Sequence, residues 1–310
     1  MAYLPFYITP EKFQEYQQQR VKSVEYTPDV TRWMCKNVEH NYRFFRAIFW
    51  VIPILVTAII FGGIMTFGSS RPVWYISNPD IYFLIVPLII GGWAAYLSYG
   101  IDDRYDYTLS SSGIIYKKRL DEPLWGPRFV QIMAYFGCIG CLLAIIIAGP
   151  MVLVGSGGFL LLAFISTKKR EIYVDEHIIP SEQFLCVRHH KKRKVFCLYS
   201  KYDVCEESLE QPESVFRVHT KEDSCLFYKS KQQFTAIKQI LTGLNIPYED
   251  VDDIKLIFDF NQAPECFYEL PMASETFHRD EALTRFNDPP PSGKSQEQVN
   301  KETEELFGNI

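Results

Sequence analysis

Three stretches of the chain run long enough to cross a bilayer without a single charged side chain: Ala47–Phe67, Ile81–Tyr99 and Phe129–Thr167. A hydrocarbon core of about 30 Å takes roughly 20 apolar helical residues. The first two stretches match that length. The third, as one helix at 1.5 Å per residue, would reach about 58 Å. Gly149-Pro150 interrupts it, and proline removes a helix hydrogen bond and disfavours helix in the residue before it. The reading is two spans, Phe129–Ala148 and Met151–Ser166. The alternative is one tilted span with a re-entrant piece at Gly155-Ser156-Gly157-Gly158.

Basic residues mark the cytosolic flanks of spans. Arg32, Lys36, Arg43 and Arg46 precede the first apolar stretch, Arg104, Lys117, Lys118, Arg119 and Arg128 lie in the middle loop, and Lys168, Lys169 and Arg170 follow the last. All three groups fall on one side only with four spans. The expected fold class is therefore a membrane α-helical protein of four transmembrane helices plus a cytosolic α+β domain. The expected location is the cell (inner) membrane, with both termini cytosolic. Residues 1–43 have no apolar run before a cleavage site, so no cleavable signal peptide is expected.

The domains expected are a cytosolic N-terminal segment (1–43), transmembrane hairpin 1 (44–99), a cytosolic loop with a β-hairpin (100–128), transmembrane hairpin 2 (129–167), a cytosolic β-rich domain with a closing helix (168–246) and an acidic, largely disordered tail (247–310). In the loop, β-prone runs flank Ser110–Gly113 within Tyr105–Arg119. Further strands are expected at Glu171–Ile178, Phe184–His190, Lys194–Ser200, Val215–Thr220 and Cys225–Lys229, the last two flanking a turn at Lys221–Ser224. Phe234, Ile237, Ile240 and Leu241 share one face of a helix over Lys231–Leu241, with Gly243 as its C-cap. A helix is expected at Pro10–Val21, with Tyr3–Tyr7 docking on the soluble domain. Lys255–Phe260 reads as a strand. Residues 247–310 hold 15 acidic and 5 basic side chains, and disorder is expected from about Ala273.

Strands in succession closed by a helix suggest a small β-barrel or sandwich. Tyr107–Ile115 and Leu226–Leu241 give a resemblance to the opening strand pair, and to the last strand and closing helix, of bacterial pleckstrin-homology-like domains on membrane proteins. That resemblance implies a binding or scaffold role rather than catalysis. It also requires either a domain split around a membrane hairpin or an unrelated middle hairpin.

No phosphate-binding loop, nucleophile elbow, HExxH or EF-hand pattern occurs, and no enzyme activity or cofactor is expected. Cys138 and Cys141 read as small-residue packing, and the remaining cysteines as reduced thiols. His189 and His190 point to opposite faces of a strand and do not chelate one metal. The one functional-looking surface is the basic run Arg188, Lys191, Lys192, Arg193 and Lys194, suited to anionic lipid headgroups or a protein partner; the alternative is an ordinary solvated turn. The expected function is a non-enzymatic membrane protein anchoring a binding or scaffold module, with an accessory component of a transporter, channel or secretion system as the alternative. The expected partners are the lipid bilayer, anionic headgroups, and a protein partner or second copy, and no nucleic acid.

Overall fold

The structure is a computed structural model. It describes residues 3–42, 44–68, 101–121, 173–208, 213–268 and 270–291, and isolated positions elsewhere. The chain divides into two compact units, one of Met1–Asn41, Arg104–Lys118 and Asp175–Ile310, the other of Tyr42–Asp103 and Arg119–Val174.

The first unit is built on two sheets. The first has the order β1-β2-β3-β4: Thr31–Asn37, Asp103–Ser110, Gly113–Leu120 and Asp175–Pro180. The turn between β2 and β3 needs glycine. Gly113 has φ +147°, and a Cβ there would stand 2.5 Å from the Ile179 carbonyl oxygen and 2.7 Å from Pro180 Cα. That close approach is the register itself. β3 runs antiparallel to β4 with Gly113 opposite Pro180 and Lys118 opposite Asp175. A strand before the third apolar stretch thus pairs with one after it.

The second sheet has the order β8-β5-β6-β7-β9: Tyr248–Asp250, Phe184–His190, Val195–Glu207, Ser214–Phe227 and Ala273–His278. Its spine is the long antiparallel pair β6 and β7, in register from Val195↔Phe227 to Glu207↔Val215. Lys221–Ser224, expected as a turn, lies inside β7 opposite Leu198–Lys201. A polar run within a strand imitates a turn when only local sequence is read.

Both sheets bury side chains in one core. Trp33, Tyr105 and Tyr107 come from the first, Phe196, Leu198, Leu226 and Phe227 from the second, and Ile237 and Leu241 from helix α3 (Lys231–Gly243). Two of the aromatic polar groups reach across: Trp33 Nε1 donates to the Phe227 carbonyl at 2.8 Å, and Tyr107 Oη to the Cys225 carbonyl at 2.6 Å. Buried tyrosine and tryptophan need such partners. Helix α3 starts with a capping box of Ser230 and Gln233 and ends at Leu244. Asn245, not Gly243, takes the left-handed conformation.

The N-terminal segment folds onto this unit. Helix α1, Pro10–Glu25, is capped by Thr9 and has Pro10 in its first turn, where its missing N–H costs nothing. Phe6, Tyr7 and Ile8 are buried with Val215, Phe277 and Ala282. The expectation of disorder from Ala273 is corrected: Ala273–His278 is β9, paired antiparallel to β7 from His219↔Ala273 to Ser214↔His278. Lys255–Phe258 is one turn of helix, not a strand.

In the second unit, helix α2 spans Phe45–Gly68. Arg46 at its start donates to the Ile101 carbonyl and pairs with Asp103 at 2.7 Å. Ile48, Phe49, Ile52, Leu55, Val56, Ile59 and Ile60 are exposed on it. The expected architecture of four membrane-spanning helices with a cytosolic domain is nevertheless overturned: among the described residues no helix is long and apolar enough to cross a membrane. Only part of the α2 side chains are described, and the other expected spans, with Cys138 and Cys141, fall almost wholly outside the described residues. Strands make up about half of the regular structure described. The placement in the inner membrane with cytosolic termini rested on those spans and falls with them.

Candidate partner-binding surface

Strands β5 and β6 meet in the basic turn 191–194. Lys194 adopts a left-handed backbone, φ 53°, which costs a residue with a Cβ roughly 1–2 kcal/mol. The structure separates the five basic residues of this run into two kinds. Arg188 is a clamp: Nε pairs with Glu249 at 2.9 Å, Nη1 donates to the carbonyls of Leu256 and Gln262, and the guanidinium lies 5.9 Å from the Tyr199 ring centre. Arg193 is likewise engaged, donating through Nη2 to the carbonyls of Val38 (3.2 Å) and His40 (2.9 Å) beside the Phe258 ring. A guanidinium with several fixed donors suits this cross-linking role. Lys191, Lys192 and Lys194 are exposed.

Beneath the turn, His189 and His190 are both buried. His189 bonds Asp250 through Nδ1 at 2.6 Å and Tyr228 Oη through Nε2 at 2.9 Å, with its ring against Phe196. The bond from His189 holds the Asp250 carboxyl below the usual range. His190 Nδ1 accepts from the Arg193 backbone N–H at 3.0 Å, so Nε2 carries the proton and donates to the Asp252 carbonyl at 3.1 Å. The two rings fasten the segment around β8 to β5. Cys197 and Cys225 face one another across β6 and β7 as free thiols; the hydrogen bond between them and burial push the Cys225 thiol up. Among the described residues no group of three His, Cys, Asp or Glu could hold a metal ion.

A second polar group went unread in the sequence. Arg217 is fully buried; its Nη2 lies 2.8 Å from Asp203 Oδ1 and 3.0 Å from His219 Nε2, and Nη1 donates to the Val204 carbonyl at 2.8 Å. Gln183 Nε2 donates to Asp203 Oδ2 at 2.7 Å, and the His219 ring stacks on Tyr3 with centres 4.3 Å apart. Because Arg217 donates to His219 Nε2, that nitrogen carries no proton, and the 3.4 Å approach of Asp203 to it is not an ion pair. The sequence signal was there: Val215, Arg217 and His219 share one face of a strand flanked by apolar residues. This group joins the N-terminal segment to β6 and β7 and is closed to solvent, so it holds structure together and offers no contact surface.

Comparison with known proteins follows from the sequence as a whole. The family model of the TsiV2 immunity protein matches residues 14–261. A curated relative, Immunity protein TsiV2 of Vibrio cholerae serotype O1 (strain ATCC 39315 / El Tor Inaba N16961), is 35% identical over 134 residues, covering 39% of this chain and 54% of the relative. The chain thus spans about half the length of that relative. No solved structure matches. The likeness to pleckstrin-homology-like membrane proteins is overturned by these matches; a run of strands closed by a helix is too general a pattern to define a family.

Proposed function

The chain belongs to the TsiV2 immunity protein family, and from that membership we propose that it protects a cell by binding a toxin protein and holding it inactive. The family match over residues 14–261 is the observation that carries this reading. It replaces the expected membrane anchor for a scaffold module, and the transporter, channel or secretion accessory, neither of which agrees with the family or with the described helices. The protein acts as a stoichiometric binder and not as a catalyst. The chemically versatile side chains of the first unit support this, since Arg188, His189, His190, Arg217 and Asp203 are each spent on holding elements together. Lys191, Lys192 and Lys194 contribute to the contact with the toxin.

The toxin to test is a protein whose gene lies beside this chain's own and that kills a host lacking the chain. The two are expressed together in a host that lacks both. Growth restored by the chain supports the reading; equal killing with and without it overturns the reading.

A further inference from the structure

We infer that Lys191, Lys192, Lys194, Lys229 and Lys231 form one contact surface, and that its occupant is an acidic face of the toxin. This rests on the immunity reading above and names the chemistry of the partner. The sequence places the last two lysines some 35 residues from the first three; the fold brings the two segments together. Tyr228 N–H donates to the Lys194 carbonyl at 3.1 Å, and Lys194 Nζ reaches the Lys229 carbonyl at 3.4 Å. All five are exposed.

Three features set this cluster apart from a solvated turn. First, none of the five forms an ion pair among the described residues, while Lys117 and Lys118 on β3 are each paired with a glutamate. Like charges gathered without ion-pairing partners repel one another in the free protein, and an anionic partner relieves that repulsion. Second, Lys231 is the first residue of α3 and Lys229 precedes its N-cap, with no acidic residue in the first turn. Basic side chains there oppose the helix dipole, which favours acidic ones. Third, the backbone beneath them is fixed. Gln233 Oε1 accepts from the backbone N–H of both Lys229 and Ser230, at 2.8 and 3.2 Å, and Lys194 is held in its left-handed conformation. A cluster kept in place against its own electrostatics is organised for a partner.

The whole chain has a net charge of -5. An extended polyanion would meet repulsion from the rest of the surface, whereas a local acidic face on a protein meets less of it. Acidic residues on the toxin would be steered to it and would pair with ammonium groups carried on a fixed backbone.

The test uses the full chain and the toxin encoded beside it. One variant carries Lys191→Glu, Lys192→Glu, Lys229→Glu and Lys231→Glu; a milder one carries glutamine at the same four positions and serves if the first does not fold. A control carries Lys12→Glu and Lys22→Glu on α1. Affinity is measured by titration calorimetry at low and high salt, alongside binding to vesicles of phosphatidylglycerol. The expected result is a loss of about 100-fold or more for the glutamate variant and about tenfold for the glutamine variant, with the control unchanged and the wild-type affinity falling with salt. Unchanged toxin affinity in a folded glutamine variant would overturn the inference and leave the immunity reading standing. Loss of vesicle binding without loss of toxin binding would also overturn it, assigning the patch to lipid. Failure of the wild-type chain to bind or protect against this toxin would overturn both.

Discussion

Arg217 on β7 and Asp203 on β6 meet at 2.8 Å with both side chains shut off from solvent. Asp203 also takes the Gln183 amide, and Arg217 spreads over backbone carbonyls on two strands. Removing Arg217 leaves the Asp203 carboxylate in the core with the Gln183 amide, the Leu4 N–H and Arg20 at 3.9 Å but without its best partner, which costs about 3 kcal/mol. Arg217→Ala is therefore expected to lower stability by that amount in urea unfolding. Arg217→Met combined with Asp203→Leu is expected to cost less than Arg217→Ala, because neither member of the buried pair is left without the other.

The turn at Gly113 tolerates no side chain. Gly113→Ala is expected to cost about 1–3 kcal/mol, since the new methyl must displace the Ile179 carbonyl and Pro180 while the backbone is held at φ +147°. The melting temperature checks this, and the strand pair β3 and β4 is where hydrogen-exchange protection is expected to fall first.

Two histidines give stability opposite slopes with pH. Burial alone would lower the His177 imidazole, but its ion pairs with Glu222 (2.8 Å) and Asp175 (2.9 Å) outweigh burial and raise it to about 9. Its contribution is complete below the unfolded value of about 6.5 and is lost as pH rises through 9. His219 is pushed down to about 3 by burial and by the charge of Arg217. Its contribution is complete above about 6.5 and falls as pH drops toward 3, because the unfolded chain takes a proton that the folded one refuses. For these two groups stability is greatest near pH 6.5. Glu222→Gln is expected to flatten the alkaline limb and His219→Gln the acid limb, in denaturation measured from pH 4 to pH 10.

Strand β9 is packed structure. Phe277 is 3% exposed and its ring meets Tyr7 edge-on at 5.1 Å. Phe277→Ala is expected to cost about 3–5 kcal/mol, as read from the urea midpoint, and the same substitution is expected to loosen residues 3–8 in hydrogen exchange.

What the sequence made legible was local. The alternation on either side of Ser110–Gly113 marks the β2–β3 hairpin, and the spacing of Phe234, Ile237, Ile240 and Leu241 marks α3. What it hid depends on distant partners. Glu275 and Thr276 make Ala273–His278 look polar, yet β7 and the docked residues Phe6–Ile8 bury its other face. The pairing of β3 with β4 joins residues more than 50 positions apart, which no periodicity encodes. In the basic run, Arg188 and Arg193 are indistinguishable from the lysines by composition; only the carbonyls of Leu256, Gln262, Val38 and His40 tell them apart. Lys229 and Lys231 joined the patch only once β6 and β7 were laid side by side. The apolar stretches dominated the reading because charge-free length is a strong signal in sequence, whereas the family match runs over residues 14–261, apolar stretches included.

The central claim is that protection works by one-to-one capture of a toxin and not by turnover. It is tested most directly by titrating purified chain against a fixed amount of the neighbouring toxin and following residual toxicity. The account expects toxicity to fall linearly and to vanish when the two are equimolar, with a complex of that stoichiometry by light scattering. Complete protection by a small fraction of an equivalent of the chain, with no complex formed, would contradict it.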